Sequence, residues 1–264
     1  MVELMIKGDF YIVLVVVFMF GSIIGSFLNV CIYRIPAGLS IVSPPSRCGA
    51  CSSTLKWYHN IPILSYLALR GKCAFCQTKI SWRYPLIEAL NGGLFVAVFY
   101  FFGFSLPCLV FFLFVSALVV ITFIDLDHQI IPDVISLPGI IIGFGCSFML
   151  PWLLWQDSLY GVLIGGGSLY AVAAGYELLT KKQGMGGGDI KLLAMLGAFL
   201  GWKAVLPIVF LSSLAGTLIG VPLILFKGEN GRLAIPFGPF LAFASIVYLF
   251  WGPMIIEWYL GFYY

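Results

Sequence analysis

Two aspartates stand where hydrophobicity alone would not put them. Asp125 closes the apolar run Val120-Ile-Thr-Phe-Ile-Asp125, and Asp189 follows a glycine run in Gly184-Met-Gly-Gly-Gly-Asp189-Ile-Lys-Leu. A carboxylate at the edge of a membrane segment is costly unless it faces a polar cavity or does chemistry. Two carboxylates in one site can divide a hydrolysis between them. The ionised one activates water, and the protonated one polarises a carbonyl and then donates its proton; like charges in a confined space drive the two proton affinities apart. Such a pair needs aspartates from different segments, and Gly186-Gly-Gly188 would let backbone approach closely because no side chain is in the way. A second reading stays open on these residues alone: Asp189 at a helix start is also a good N-cap. Asp127, two residues past Asp125, faces elsewhere on a helix, and Asp133, after Pro132, reads as the cap of the next element.

A second constellation is made of cysteines. Cys48-Gly-Ala-Cys51 and Cys73-Ala-Phe-Cys76 are two C-x2-C knuckles in one polar segment, a pattern that predicts a tetrahedral four-cysteine zinc site. Four protein ligands leave no open position, so the metal is expected to be structural, replacing a core in a segment too small to have one. Idle thiols or a redox pair are the alternative. Cys31, Cys108 and Cys146 lie in apolar runs and read as small buried side chains.

The elements that must hold these groups are membrane helices. The chain is 61% hydrophobic and 9% charged, with a mean hydropathy of +1.06; a soluble domain carries about 25% charged residues. The net charge of +3 gives no reason to expect nucleic acid as a partner. About eight transmembrane helices are predicted, over 10–33, 84–102, 105–124, 134–151, 158–179, 189–205, 206–226 and 236–258, since a span needs roughly 20 apolar residues. Gly103 and Ser105-Leu-Pro107 separate the second from the third, and Gly201-Trp-Lys203 with Pro207 divides the sixth from the seventh. The first run exceeds a signal-peptide core of roughly 7–15 residues. The fold class is therefore an all-α membrane protein with a small zinc-binding insertion. Its predicted parts are a first helix (1–33), the cysteine loop (34–83) and a helical bundle (84–264).

Charge sets the orientation. Arg34, Arg47, Lys56, Arg70, Lys72, Lys79 and Arg83 are half of the fourteen basic residues and fall around one loop, which the positive-inside rule places in the cytoplasm. The N-terminus is then outside, Lys181, Lys182, Lys227 and Arg232 are inside, and Lys7 and Lys203 are exceptions. Asp125 and Asp189 come out at the cytoplasmic ends of two spans, at one depth. Asn29, Arg34, Glu88 and Asn91 fall on the same side and together suggest a polar cavity; any one of them could instead snorkel or cap. Lys191 reads as a snorkelling lysine. Ile235-Pro-Phe-Gly-Pro-Phe240 either lines a cavity or is a plain turn before the last span.

These residues carry a family resemblance. The stretch Gly25-Ser-Phe-Leu-Asn-Val-Cys-Ile-Tyr-Arg-Ile-Pro36, the two C-x2-C pairs, Asn60-Ile-Pro62 with Leu69-Arg-Gly71, Arg83-Tyr-Pro85 with Glu88, Phe123-Ile-Asp-Leu-Asp127 through Ile131-Pro-Asp133, the Gly-x-Gly-Asp ending at Asp189, and Ile235-Pro-Phe-Gly-Pro239 occur in order over nearly the whole chain. The set resembles the bacterial type IV prepilin leader peptidase and N-methyltransferase family. The resemblance implies an inner-membrane enzyme of type IV pilus and type II secretion systems. Such an enzyme cuts the leader of prepilins and pseudopilins after a glycine on the cytoplasmic face. It then methylates the new N-terminus from S-adenosylmethionine. The family's catalytic aspartates map onto Asp125 and Asp189. The methyl donor is expected near the loop 34–83, with Glu88 and Arg34 as its neighbours. A proton- or cation-coupled transporter and a non-enzymatic assembly scaffold are the rival readings. A transporter would favour midplane acids and internal repeats, and the predicted spans put the acids at helix ends.

Overall fold

The computed structural model describes residues 2–181, 186–227 and 235–261. Lys182, Gly184, Met185 and Arg232, used above for the glycine motif and the charge count, lie outside the described residues, and the side chains of Lys7 and Lys227 are likewise not described. The fold is all-helical. In order come α1 Val2–Arg34, a 3-10 turn Trp57–Asn60, α2 Leu64–Ala68, α3 Arg83–Phe102, α4 Leu106–His128, α5 Asp133–Cys146, α6 Trp155–Thr180, α7 Gly187–Leu200, α8 Trp202–Lys227 and α9 Gly238–Gly261. The chain forms two compact units, Met1–Val120 and Ile121–Tyr264.

A helix stands at each of the eight predicted spans. Six are long and apolar enough to cross a membrane: α1, α3, α4, α6, α8 and α9. The other two, α5 and α7, have 14 residues each. At 1.5 Å per residue that is about 21 Å, short of a hydrocarbon core of about 30 Å. The break between α7 and α8 also differs from expectation. Gly201 alone makes it, at φ +81 with its N–H on Gly197 O at 2.8 Å, and Pro207 lies inside α8. The predicted separation of α3 from α4 is present. Gly103, at φ +58, caps α3 onto Phe99 O, and the Ser105 hydroxyl accepts the Cys108 N–H at the start of α4.

In the first unit α1 and α3 cross at close range. A Cβ on Gly21 would lie 2.8 Å from the Phe95 side chain, and one on Gly25 would lie 2.8 Å from Glu88 Cα. This is the small-residue packing that lets membrane helices touch backbone to backbone. Polar side chains bind the seam. Asn91 Nδ2 donates to Gly21 O at 2.7 Å, Ser116 Oγ of α4 donates to Asn91 Oδ1 at 3.2 Å, and Asn29 Nδ2 donates to Tyr84 O at 3.2 Å. Asn29 and Asn91, expected to help line a polar cavity, are instead helix-to-helix hydrogen bonds. Phe95 and Phe112 stack face to face at 4.0 Å beside them.

In the second unit α7 is enclosed by its neighbours. All eight residues from Leu192 to Phe199 are buried. On one side a Cβ on Gly161 of α6 would overlap the Gly197 carbonyl oxygen, and one on Gly165 would lie 2.6 Å from Leu193 O. On the other side Gly139 and Gly143 of α5 abut Met195, Ala198 and Phe199. Ser158 Oγ donates to Ala198 O at 2.7 Å. A helix whose sides are covered by protein need not match the thickness of lipid. That explains how α7 can be short and still apolar.

Candidate active site and metal centre

Both aspartates of the sequence reading line one cavity of about 590 Å³ in the second unit, together with Asp133, Ile130, Ile131, the three glycines 186–188 and Ile235–Phe237. Asp125 sits in the last turn of α4 and is 5% exposed. Its Oδ2 accepts the N–H of Gly238, the first residue of α9, at 3.0 Å. A helix start leaves four N–H groups without partners in the helix, so Asp125 caps α9, a helix far along the chain, while facing the cavity. Asp189 is the third residue of α7. The N-cap there is Gly186, with no side-chain cap bond, so Asp189 is free of the capping role open to it in the sequence. Its carboxylate has no hydrogen-bond partner among the described residues and lines the same cavity as Asp125.

Three close approaches set this geometry. A Cβ on Gly238 would stand 2.6 Å from Asp125 Oδ2. A Cβ on Gly188 would stand 2.9 Å from Ile131 Cβ, and Ile131 Cδ1 also reaches the Gly238 position. Ile131 is thus the spacer between the glycine run before Asp189 and the helix start that holds Asp125. Sequence reasoning named neither Gly238 nor Ile131 as functional. The only signal for Gly238 was the proline-bounded Ile-Pro-Phe-Gly-Pro string. Lys191, expected to snorkel, donates to both oxygens of Asp133 at 2.7 Å and ties α7 to α5 at the cavity rim.

In the first unit the four cysteine sulfurs of Cys48, Cys51, Cys73 and Cys76 lie within 4.8 Å of one another, an arrangement able to hold a metal ion. The loop builds the same turn twice. Cys48 N–H donates to Ser53 O at 3.0 Å and Ser52 N–H returns to Cys48 O at 2.9 Å; Cys73 N–H donates to Thr78 O at 2.9 Å and Gln77 N–H returns to Cys73 O at 3.1 Å. Ser52 and Gln77 occupy matching left-handed positions at φ +58 and +59, and each turn is flanked by one antiparallel bridge, Arg47 to Thr54 and Lys72 to Lys79. Each knuckle therefore points two thiols the same way. Hydrogen bonding between Cys76 Sγ and Thr78, at its hydroxyl and then its backbone, lowers the Cys76 pKa to about 6. That favours the thiolate, the form that binds metal.

Arg34 and Glu88 both act on the loop that carries the cysteines. Arg34 donates from Nη1 to Ser40 O at 2.8 Å and from Nη2 to Pro44 O at 2.7 Å. Glu88, buried in α3, accepts the N–H of Ile63 at 2.8 Å. Ile63 has φ +61, a region a β-branched residue rarely adopts. That carboxylate bond helps hold the turn leading into α2.

Residues 19–102 match the bacterial peptidase A24 N-terminal domain, and residues 112–221 match the type IV leader peptidase family. A Pseudomonas putida protein named prepilin leader peptidase/N-methyltransferase is 37% identical over 257 residues, covering 89% of each chain. Proteins of the same name from Aeromonas hydrophila and Neisseria gonorrhoeae are 39% identical over 92% of each chain and 40% identical over 84% of each chain. No solved structure matches. With both domain profiles in order and relatives aligned over most of its length, the chain belongs to the type IV leader peptidase family.

Proposed function

We infer that this protein is a membrane-embedded aspartic endopeptidase that removes the leader of type IV prepilins and pseudopilins after a glycine, then N-methylates the exposed N-terminus. The observation that carries the reading is the shared cavity of Asp125 and Asp189 in a chain of this peptidase family. A transporter reading would leave that membership without a role. Asp125 and Asp189 are assigned as the catalytic pair. One carboxylate takes a proton from water as the oxygen attacks the scissile carbonyl carbon. The other, protonated, donates to the carbonyl oxygen. Collapse of the tetrahedral adduct breaks the C–N bond, and a proton passes to the departing amine. Gly238 N–H fixes one carboxylate while the other stays free to meet substrate.

The metal is assigned as zinc. Four thiolates at about 2.3 Å from zinc define a tetrahedron with edges of about 3.8 Å, and Cys48 Sγ and Cys76 Sγ are 3.7 Å apart. The four cysteines are its complete ligand set, so its part is to hold the loop's shape. S-adenosylmethionine supplies the methyl group. Glu88 and Arg34 are placed in this activity as positioning residues, because what both visibly do is fix the loop 34–83. In this reading 1–33 is a first membrane helix, 34–83 the zinc loop and 84–264 the bundle that carries proteolysis. The enzyme is a multi-pass protein of the bacterial inner membrane, with the N-terminus periplasmic and the aspartates on the cytoplasmic side, where the basic loop also lies.

Mass spectrometry of a prepilin incubated with the purified protein, with and without S-adenosylmethionine, tests the whole reading. Loss of the leader after its glycine and a gain of one methyl only when the donor is present are expected. An intact prepilin would overturn it.

A further inference from the structure

The cavity walls include two stretches of non-helical backbone, 130–131 and 235–236. Ile130, Ile131 and Pro132 run between α4 and α5 without helical structure, and Ile235 and Pro236 do the same ahead of α9. Each contains an isoleucine followed by proline. A residue before proline is confined to the extended region, and Pro132 is itself extended at φ −66, ψ 125. Among the described residues the N–H and C=O of Ile130, Ile131 and Ile235 make no backbone–backbone hydrogen bond. Both stretches lie beside the carboxylates: Ile131 contacts the Gly188 and Gly238 positions, and Ile235 is three residues before Gly238, which holds Asp125.

Unpaired backbone at membrane depth is tolerated where it lines a cavity. It is also the edge that an extended peptide can pair with. We propose that the scissile segment of the substrate binds as an extended strand against the Ile130–Ile131 and Ile235 backbones, so that the enzyme reads substrate main chain on either side of the cut. The proposal rests on the peptidase reading above and deepens it. A helical substrate segment keeps its N–H and C=O groups in its own turns. A substrate segment can therefore pair with the cavity wall only where it has left the helix. Pairing of this kind has a period of two, because successive residues of a strand point their backbone groups to opposite sides.

The test is an N-methyl scan of the substrate. Synthetic prepilin segments spanning the leader junction each carry one N-methylated backbone amide within four residues of the cleaved bond, and kcat/KM is measured with the wild-type protein in detergent. Losses of about tenfold or more, from one hydrogen bond removed, are expected at alternate positions, with small effects between them. A uniform response, or one that repeats every three to four residues, would overturn the strand. Failure of the unmodified segment to be cut would overturn the peptidase reading and the strand with it, so the two failures are told apart by the unmodified control.

Discussion

The cysteine loop and the aspartate cavity gather their groups in opposite ways. The four thiols come from two short turns of one segment, each turn closed by its own backbone hydrogen bonds. The two carboxylates come from the end of one helix and the start of another, and a third helix, 113 residues along the chain from Asp125, supplies the N–H that holds it. The loop is built by local geometry, which brings its four thiols into an arrangement able to hold a metal ion. The cavity is built by helix packing, and α7 reaches it because glycines of α5 and α6 let it lie between them. A site of the first kind should fail locally when altered. One of the second kind should fail at positions that never touch substrate.

The sharpest way to separate the two is to remove one carboxylate. Asp125→Asn and Asp189→Asn keep size and shape but lose the proton chemistry, and cleavage should fall by about 10³-fold or more. Methylation of a peptide that already begins at the mature residue should persist in both variants, measured by methyl transfer from labelled donor. Equal loss of both activities would merge the two regions into one site.

Gly238→Ala comes next. The added methyl would meet Asp125 Oδ2 at 2.6 Å, so the carboxylate or the start of α9 must shift. A displacement near 1 Å can cost about 10²-fold, with helix content by circular dichroism unchanged. Serine at Cys48 and Cys51 should break the other region instead: metal content by mass spectrometry should drop to background, and methylation should suffer more than cleavage.

The cysteines were legible because their geometry is local and their spacing is the geometry. Asp125 and Asp189 were legible as anomalies, acids at the margins of apolar runs, and the family resemblance gave them a role. Gly238 was not, because what forbids its side chain is a carboxylate on another helix. The 14-residue lengths of α5 and α7 are hidden from the sequence for a related reason. Hydropathy registers that a helix is apolar and is silent on whether lipid or protein covers it. Gly161-Val-Leu-Ile-Gly165 and Gly21-Ser-Ile-Ile-Gly25 are visible as glycines four apart, yet the partner each admits, Gly197 or Glu88, is set only by the packed structure. The same separation explains Asn29 and Asn91. Polar residues in a span look alike in sequence whether they face a cavity or bond a neighbouring helix.

Gly161→Leu probes that packing away from the chemistry. A leucine cannot fit where a single Cβ would already overlap the Gly197 carbonyl, and overpacking of this kind costs about 1–3 kcal/mol. Thermal stability in detergent should fall, and cleavage should fall with it as α7 shifts Asp189. A leucine variant with full stability would mean that α6 and α7 do not lie this close.

Lys191→Met should have the smallest effect, and it measures how much the cavity rim depends on charge. The pair with Asp133 is bidentate at 2.7 Å but well exposed, with 38% and 55% of the two side chains accessible. Exposed pairs contribute about 0–1 kcal/mol and are screened by salt. A methionine keeps most of the lysine stem's apolar contact and removes only the charge. Stability should therefore change little, and any loss of cleavage should be within a few-fold and shrink as ionic strength rises. A loss as large as that of Gly238→Ala would place Lys191 with the groups that hold the aspartates in register, since α7 carries Lys191 only two residues beyond Asp189.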